Sequence, residues 1–406
     1  LPRYARALAD TLEDTEPSVA VRVNPLKGGE ECGVVSAGES VPWCGEGFYL
    51  PVRPEFIFDP AMHQGRYYVQ DASSMFVGHV VTQLSAILMR ERPARPLRYL
   101  DACAAPGGKT SAAIGALPVG SLVVANEYDF RRAEILKENV IKWGYPDVVV
   151  SRGDTSRFRS LPVFFDVVAA DVPCSGEGMM RKDDTACRQW SRGLVEECAM
   201  RQKEIVANLW RTLRPGGFMI YSTCTFNRLE NEENVRYLVE ELEMAPVDLD
   251  LPDEWGIGKG IATTYPCLRF MPHMTHGEGL FLCVLRKEGD FPVSGIRKGK
   301  SLADMLGEKV RIIADGIPLT TTKGRDTVPT TESVLSCSYK RGSLPEAEVD
   351  EKTALSYLRH EAIILDREIP KGYVVVIYKD TPLGIVKNLG NRANNLYPAQ
   401  WRIRMK

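Results

Sequence analysis

Between Leu97 and Thr225 the chain repeats one pattern five times: a short apolar run, a break in small or polar residues, then a helical stretch. The apolar runs are 97–100, 121–125, 148–150, 166–170 and 218–221, too short to be buried helices. One intervening segment carries Ala133, Leu136, Val140 and Trp143 at helical spacing and ends at Gly144, a residue suited to a left-handed C-cap. Another is a long helix from about Ser191 to Leu213, stopped by Arg214-Pro215-Gly216-Gly217. Strands that alternate with helices need right-handed crossovers, which leaves a parallel sheet covered on both faces as the expected solution. The fold class predicted is α/β, a doubly wound Rossmann-like sheet. Such sheets bind ligands beyond the carboxyl ends of their strands, near the point where strand order reverses.

The polar residues follow that rule. The first strand ends in Asp101-Ala102-Cys103-Ala104-Ala105-Pro106-Gly107-Gly108-Lys109-Thr110, which opens a helix. The second ends at Glu127, the third leads to Asp154, the fourth to Asp171 and Cys174, and the fifth to Cys224. Random placement would scatter such residues over both ends of the sheet. The first loop is not a phosphate-binding P-loop, because that motif needs Gly where Cys103 stands, and it is not a dinucleotide GxGxxG. Its small residues let the backbone approach a ligand, and the helix start offers free N–H groups. Glu127 is placed for ribose hydroxyls and Asp154 for the base side. A nucleoside held without a phosphate cradle points to S-adenosylmethionine. Singly, each acid reads as a helix cap or a surface charge; the ordered set carries the inference.

Cys174 and Cys224 follow neighbouring strands in this sheet type, close to a methyl donor. A free thiol has a pKa of about 8.5 and becomes a strong nucleophile as thiolate. Carbon 5 of cytosine is a poor nucleophile, but a thiolate added at carbon 6 makes it enamine-like and able to attack a sulfonium methyl. The carbon-5 proton must then leave and the thiolate be expelled. One cysteine suffices for the addition, and a second can assist release. Asp171 can hydrogen-bond the pyrimidine edge or orient the donor. The residues themselves do not rank Cys174 against Cys224.

At 406 residues the chain is long enough for two or three domains. The expected division is 1–70, a small mixed N-terminal module; 71–289, the sheet described above; and 290–406, a small α+β module. In the first, Arg22 and Lys27 read as ordinary surface charge or phosphate contacts. Tyr67 to Ser74 reads as a strand entering a helix capped at Asp71 or Ser73, and Leu280 to Leu285 as the end of an antiparallel pair that finishes the sheet. In the last module, 373–378 and 383–386 read as strands joined by a turn, and 316–333 as a flexible link. The net charge is −2, yet from Lys371 onward seven Lys or Arg face one acid, Asp380. That local excess suits a polyanion.

No apolar run approaches the roughly 18 residues a membrane helix needs. The N-terminal stretch lacks a signal-peptide pattern. The ten cysteines show no CxxC and no zinc-finger spacing, and His273 and His276 lack a third ligand, so no metal is expected. Free thiols in apolar runs suit a reducing cytoplasm.

The segments ACAAPGGKT, DVPCSGEGMMRKD and STCTFNRLENEENV resemble, in this order, motifs of the Nop/Sun family of RNA cytosine-carbon-5 methyltransferases. RVNPLK, VPWC..GFYL and YVQDASS, with the C-terminal extension, look most like its bacterial small-subunit (16S) ribosomal RNA methyltransferase F branch. The resemblance is strong from about 20 to 285. It implies a class I methyltransferase core with Cys224 as nucleophile and Cys174 assisting release of the methylated base. It implies that Cys103, Ala104, Ala105, Pro106, Gly107, Gly108, Lys109, Glu127, Asp154 and Asp171 bind S-adenosylmethionine. The terminal modules, the last PUA-like, would hold RNA, expected to be small-subunit ribosomal RNA. A cytoplasmic monomer with no membrane contact is the matching expectation. The same reaction on tRNA, or a catalytically silent RNA-binding assembly factor, are the rival readings.

Overall fold

A computed structural model describes residues 2–28, 32–93, 95–161, 164–289, 302–324 and 326–404. All five predicted strands are present: β1 (Arg98–Asp101), β2 (Leu122–Glu127), β3 (Val148–Arg152), β4 (Phe165–Asp171) and β5 (Leu213–Thr223). They run parallel in the order β3-β2-β1-β4-β5. Chain order therefore reverses between β1 and β4. The antiparallel strand β6 (Leu280–Lys287) pairs with β5 and extends the sheet, as expected. β5 starts five residues before the predicted Phe218, because Leu213 already pairs with Phe165 ahead of a bulge.

Alternation along the strands supplies two cores. Tyr99, Val123, Val167, Phe218 and Ile220 face one layer; Leu100, Val124, Val168, Met219 and Tyr221 face the other. The first layer is covered by α1 (Ala72–Glu91), α2 (Gly108–Ala116) and α3 (Phe130–Trp143), and the second by α4 (Arg192–Trp210) and α5 (Glu232–Glu240). Helix α1 has the length and hydropathy of a membrane span. Here it is a core helix whose Met75, Phe76, Val80, Val81 and Leu84 are wholly buried. Asp71 caps it by accepting from the Ser73 N–H at 3.1 Å.

The N-terminal module is a four-stranded antiparallel sheet of Glu39–Val41, Cys44–Tyr49, Ala20–Val23 and Tyr67–Val69. It corrects the surface-charge reading of Arg22 and Lys27. Arg22 is buried, donates to Gln70 Oε1 at 2.9 Å and Ser111 Oγ at 2.6 Å, and lies 4.5 Å over the Trp143 ring. Lys27 Nζ donates to the Gln64 and Lys142 carbonyls at 2.8 and 2.5 Å. Both cations are pegs that fasten this sheet to α2 and α3. Short polar side chains and water satisfy a surface arginine; the nearest of these partners, Gln64 and Gln70, lie 37 and 48 positions away and Ser111 and Lys142 lie 89 and 115, so no local pattern announces them.

The C-terminal region departs from expectation twice. Arg311–Asp315, assigned by sequence to the last module, pairs antiparallel with β3 and forms an edge of the core sheet. The expected boundary at 290 falls in 290–301, outside the described residues. The segment read as a flexible link instead contains a hairpin, Thr320–Lys323 with Asp326–Pro329, and the helix Thr331–Leu335 capped by Thr330. Its threonines are strand formers rather than linker residues. Beyond it lies a second sheet of Glu346–Glu348, Gly372–Tyr378, Thr381–Asn388 and Ala393–Asn395. The predicted turn there is a tight hairpin, with Lys379 at φ 47° and Asp380 at φ 59°. The six described cations of the basic stretch, from Lys371 to Arg404, are all exposed.

The peg assignment makes a prediction. Arg22→Met should lower unfolding free energy by about 2–4 kcal/mol, since it strands buried acceptors and loses the Trp143 contact. Urea unfolding measures this, and a change within about 0.5 kcal/mol would restore the surface-charge reading.

Candidate active site

The switch point between β1 and β4 opens a cleft of about 190 Å³. Its floor is the loop after β1, from Cys103 to Pro106, with Asp101, Gly108 and Lys109; Asp171 closes one side and Gln70, Asp71 and Ser74 the other. The loop must be small where it turns. Gly107 sits at φ 111°, and a Cβ there would come 3.2 Å from Leu136 Cδ1. A Cβ on Gly108 would lie 3.1 Å from the Tyr68 ring.

Asp101 accepts from Thr110 Oγ1 at 2.7 Å through one oxygen, while the other is buried with no partner. Burial pushes its carboxyl up to about 7. An orphaned buried acceptor lining a glycine-walled cleft suits a ligand that carries hydrogen-bond donors. This is the observation by which the site fits a nucleoside donor such as S-adenosylmethionine.

The predicted cofactor acids are not all in this cleft. Glu127 is buried at the end of β2, but its Oε1 already accepts from the backbone N–H groups of Tyr128 and Asp129 at 2.8 and 3.0 Å. Its Oε2 lies 3.7 Å from Arg132. Asp154 is exposed and caps the turn Thr155–Ser160 by accepting from Ser156 N at 2.8 Å. Asn126, which sequence reading passed over, joins the ends of three strands. Its side chain donates to the Ala102 and Gly153 carbonyls at 3.1 and 3.0 Å and accepts from Ser151 Oγ at 3.0 Å. Only its position at a strand end next to Glu127 could have flagged it.

Lys109 and Asp171 meet across the switch point at 2.7 Å. The other oxygen of Asp171 accepts from Ser222 Oγ at 2.8 Å. Burial works against the Lys109 ammonium, but Asp171 and then Cys224 hold its pKa above the ordinary value.

Cys174 and Cys224 come together beside this pair, with their sulfurs 3.3 Å apart. Two loops bring them there. The loop after β4 passes so close to that after β5 that the Gly178 N–H donates to the Cys224 carbonyl at 2.8 Å, and a Cβ on Gly178 would lie 2.6 Å from the same oxygen. Glu177 fastens the second loop by accepting from the Phe226 and Asn227 N–H groups at 2.7 and 2.9 Å. Both thiols are partly exposed. Their environments differ. The hydrogen bond from Cys174 lowers the Cys224 pKa, opposed by burial and Asp171, with Lys109 lowering it further. Cys174 is pushed the other way by Cys224, by burial and by the charge of Glu230. Either sulfur can donate across the contact, and the surroundings favour the S–H on Cys174 and the thiolate on Cys224. Cys103 is also pushed far up, by burial first and then by Asp101 and Glu127, and is poorly disposed to act as a thiolate.

Among the described residues no group of three or more His, Cys, Asp or Glu could hold a metal ion.

A 3-2-1-4-5 sheet with an antiparallel β6, a glycine-walled cleft at its switch point and reactive groups along the carboxyl edge defines a class I methyltransferase. Three family models match in order along the chain. They are the N-terminal domain of 16S rRNA methyltransferase RsmF at 1–72, 16S rRNA methyltransferase RsmB/F at 89–286, and the methyltransferase RsmF PUA domain at 345–403. The Ribosomal RNA small subunit methyltransferase F of Erwinia tasmaniensis is 30% identical over 411 residues, covering 89% of this chain and 84% of that protein. Its counterpart in Pectobacterium atrosepticum is 34% identical over 284 residues, covering 67% and 57%. Among solved structures, NSun6 from Pyrococcus horikoshii with SFG superposes with a TM-score of 0.59 at 19% identity, over 71% of this chain and 95% of that one. The chain belongs to the 16S rRNA methyltransferase RsmB/F family. It is an RNA methyltransferase that uses S-adenosylmethionine.

The polarised pair predicts that iodoacetamide at pH 7 alkylates Cys224 roughly tenfold faster than Cys174, read by peptide mass spectrometry. Equal rates would remove the distinction between the thiols.

Proposed function

We propose that the protein methylates carbon 5 of a cytosine in small-subunit ribosomal RNA through a covalent adduct on Cys224. The observation that carries this reading is the 3.3 Å pair of thiols next to Lys109 and Asp171, which line the donor cleft. S-adenosylmethionine supplies an electrophilic methyl when bound. The residues that would hold it are Asp101, the loop from Cys103 to Lys109, and Glu127, with Asp154 at the base side.

The target base has to leave any helix or stack to reach the thiols. Asp171, oriented by Lys109 and Ser222, is the acid that meets the pyrimidine edge. The Cys224 thiolate adds to carbon 6, forming the S–C6 bond and turning carbon 5 into a nucleophile. Once carbon 5 is methylated, its proton passes to a base, the C6–S bond breaks and the electron pair returns to Cys224. Cys174, as an S–H donor to Cys224, stabilises that returning thiolate and so assists release.

The substrate assignment draws on the relatives, which are named for small-subunit ribosomal RNA. The exposed cations from Lys371 to Arg404 would contact phosphates, adding affinity that falls with salt and carries little sequence information. The division into 1–70, 71–289 and 290–406 belongs to the same proposal, with Arg311–Asp315 lent to the core sheet. The protein acts in this reading as a cytoplasmic monomer.

With RNA and donor present, Cys174→Ala should accumulate a covalent protein–RNA adduct visible on a denaturing gel, and Cys224→Ala should form none. The opposite pattern would exchange the two roles. Bisulfite sequencing of total RNA with and without the gene should lose a site in small-subunit ribosomal RNA. Loss of a tRNA site with ribosomal RNA unchanged would overturn the substrate.

A further inference from the structure

Behind the thiols lies a carboxylate to which the mechanism assigns no role. Glu230 has zero exposure. Its Oε1 accepts from Ser175 Oγ at 2.5 Å and Asn227 Nδ2 at 2.7 Å; its Oε2 accepts from Gln202 Nε2 at 2.7 Å and the Ser175 N–H at 3.0 Å. Four donors converge on it, all of them neutral, and it appears in none of the ion pairs among the described residues. A buried carboxylate without a cation is costly. Apolar side chains of similar volume would fill the space between α4 and the loop after β5 at lower cost. The arrangement therefore asks for a function.

The geometry supplies one. Two of the four hydrogen bonds go to Ser175, the residue that follows Cys174, and Gln202 reaches on to the Pro173 carbonyl at 2.9 Å, on its other side. Glu230 thus grips the backbone on both sides of one thiol. Its other neighbours are locked in turn. Gln202 Oε1 accepts from Asn234 at 2.7 Å and lies 3.2 Å from the Tyr221 hydroxyl, which donates to the Glu230 carbonyl. The charged groups facing the thiol pair are then Glu230 behind Cys174, and Lys109 with Asp171 in front of Cys224. Glu230 lies behind one thiol alone, while Cys224 faces an ion pair whose two charges oppose each other, so the lone carboxylate separates two thiols that would otherwise be alike.

We infer that Glu230 is a positioning residue that holds the proton of the thiol pair on Cys174 and so leaves Cys224 as the thiolate. It acts through Ser175 and through its field, touching neither substrate nor donor. The inference deepens the proposed reaction and rests on it only for the statement of which thiol attacks. The charge asymmetry itself is a property of the free protein. Direction matters here: a charge that raises the Cys174 pKa keeps that thiol protonated to higher pH, and its removal lets the thiolate form at lower pH.

The test reads the thiol without RNA, so it is independent of the proposed substrate and reaction. In a Cys224→Ala background, the rate of Cys174 alkylation by iodoacetamide is followed from pH 6 to pH 11. Glu230→Gln should move the midpoint toward lower pH and raise the rate at pH 8 by roughly tenfold, one pH unit of displacement. Glu230→Asp, which keeps the charge, should remain near the parent. Unfolding curves and donor binding establish that the variants are folded. Should Glu230→Gln not fold, Gln202→Lys, which brings a cation to the same carboxylate, should displace the midpoint in the same direction. In the otherwise native protein, the pH profile of methyl transfer should shift with Glu230→Gln and return with Glu230→Asp. An unshifted Cys174 midpoint in a folded Glu230→Gln protein would overturn the inference. So would an equal shift in Glu230→Asp, which would make the residue a packing element.

Discussion

The ion pair between Lys109 and Asp171 spans the reversal of strand order on which the site depends. Lys109 comes from the first turn of α2, just after β1, and Asp171 from the end of β4, so the pair closes the switch point. Its strength comes from partial burial and from a third partner: Ser222 on β5 holds the second oxygen of Asp171. Three strand ends are thereby fixed relative to one another. The two charges of the pair act on Cys224 in opposite directions, Asp171 raising its pKa and Lys109 lowering it. One interaction therefore borders the donor cleft and shapes the field at Cys224.

The thiols illustrate how much a site gains from surroundings rather than from residue type. Cys174 and Cys224 are the same side chain at nearly the same place, 3.3 Å apart. What differs around them is charge: Glu230 behind Cys174, and the Lys109–Asp171 pair beside Cys224. The loops that carry them touch through a position that accepts only glycine, because Gly178 presses on the Cys224 backbone. Enzymes that need two like groups to play unlike roles commonly divide them in this way.

Much of this was legible beforehand, for reasons tied to particular residues. The strands announced themselves because apolar runs bounded by glycine, proline and acids have few other solutions in a chain of alternating helices. Cys103 to Lys109, Asp171, Cys174 and Cys224 were legible because the sheet type sends them to one edge. The ranking of the thiols came only from family resemblance, since Lys109 and Glu230 are brought up to Cys224 and Cys174 by the fold and by no local pattern. Arg22 and Lys27 were misread for the same reason: their partners Ser111, Trp143 and Lys142 belong to helices about ninety or more positions on. Asp154, read as a ligand, also caps the turn that follows it, a use the sequence reading did not separate from the first. Arg311–Asp315 escaped notice because a five-residue edge strand with exposed ends carries almost no periodic signal.

The central claim is that Cys224, and not Cys174, forms the bond to the base. RNA containing 5-fluorocytidine traps that bond, because fluorine at carbon 5 cannot leave as a proton does. Peptide mass spectrometry of the trapped complex from the unaltered protein should find the nucleotide on Cys224 alone. A nucleotide mapped to Cys174 would contradict the account.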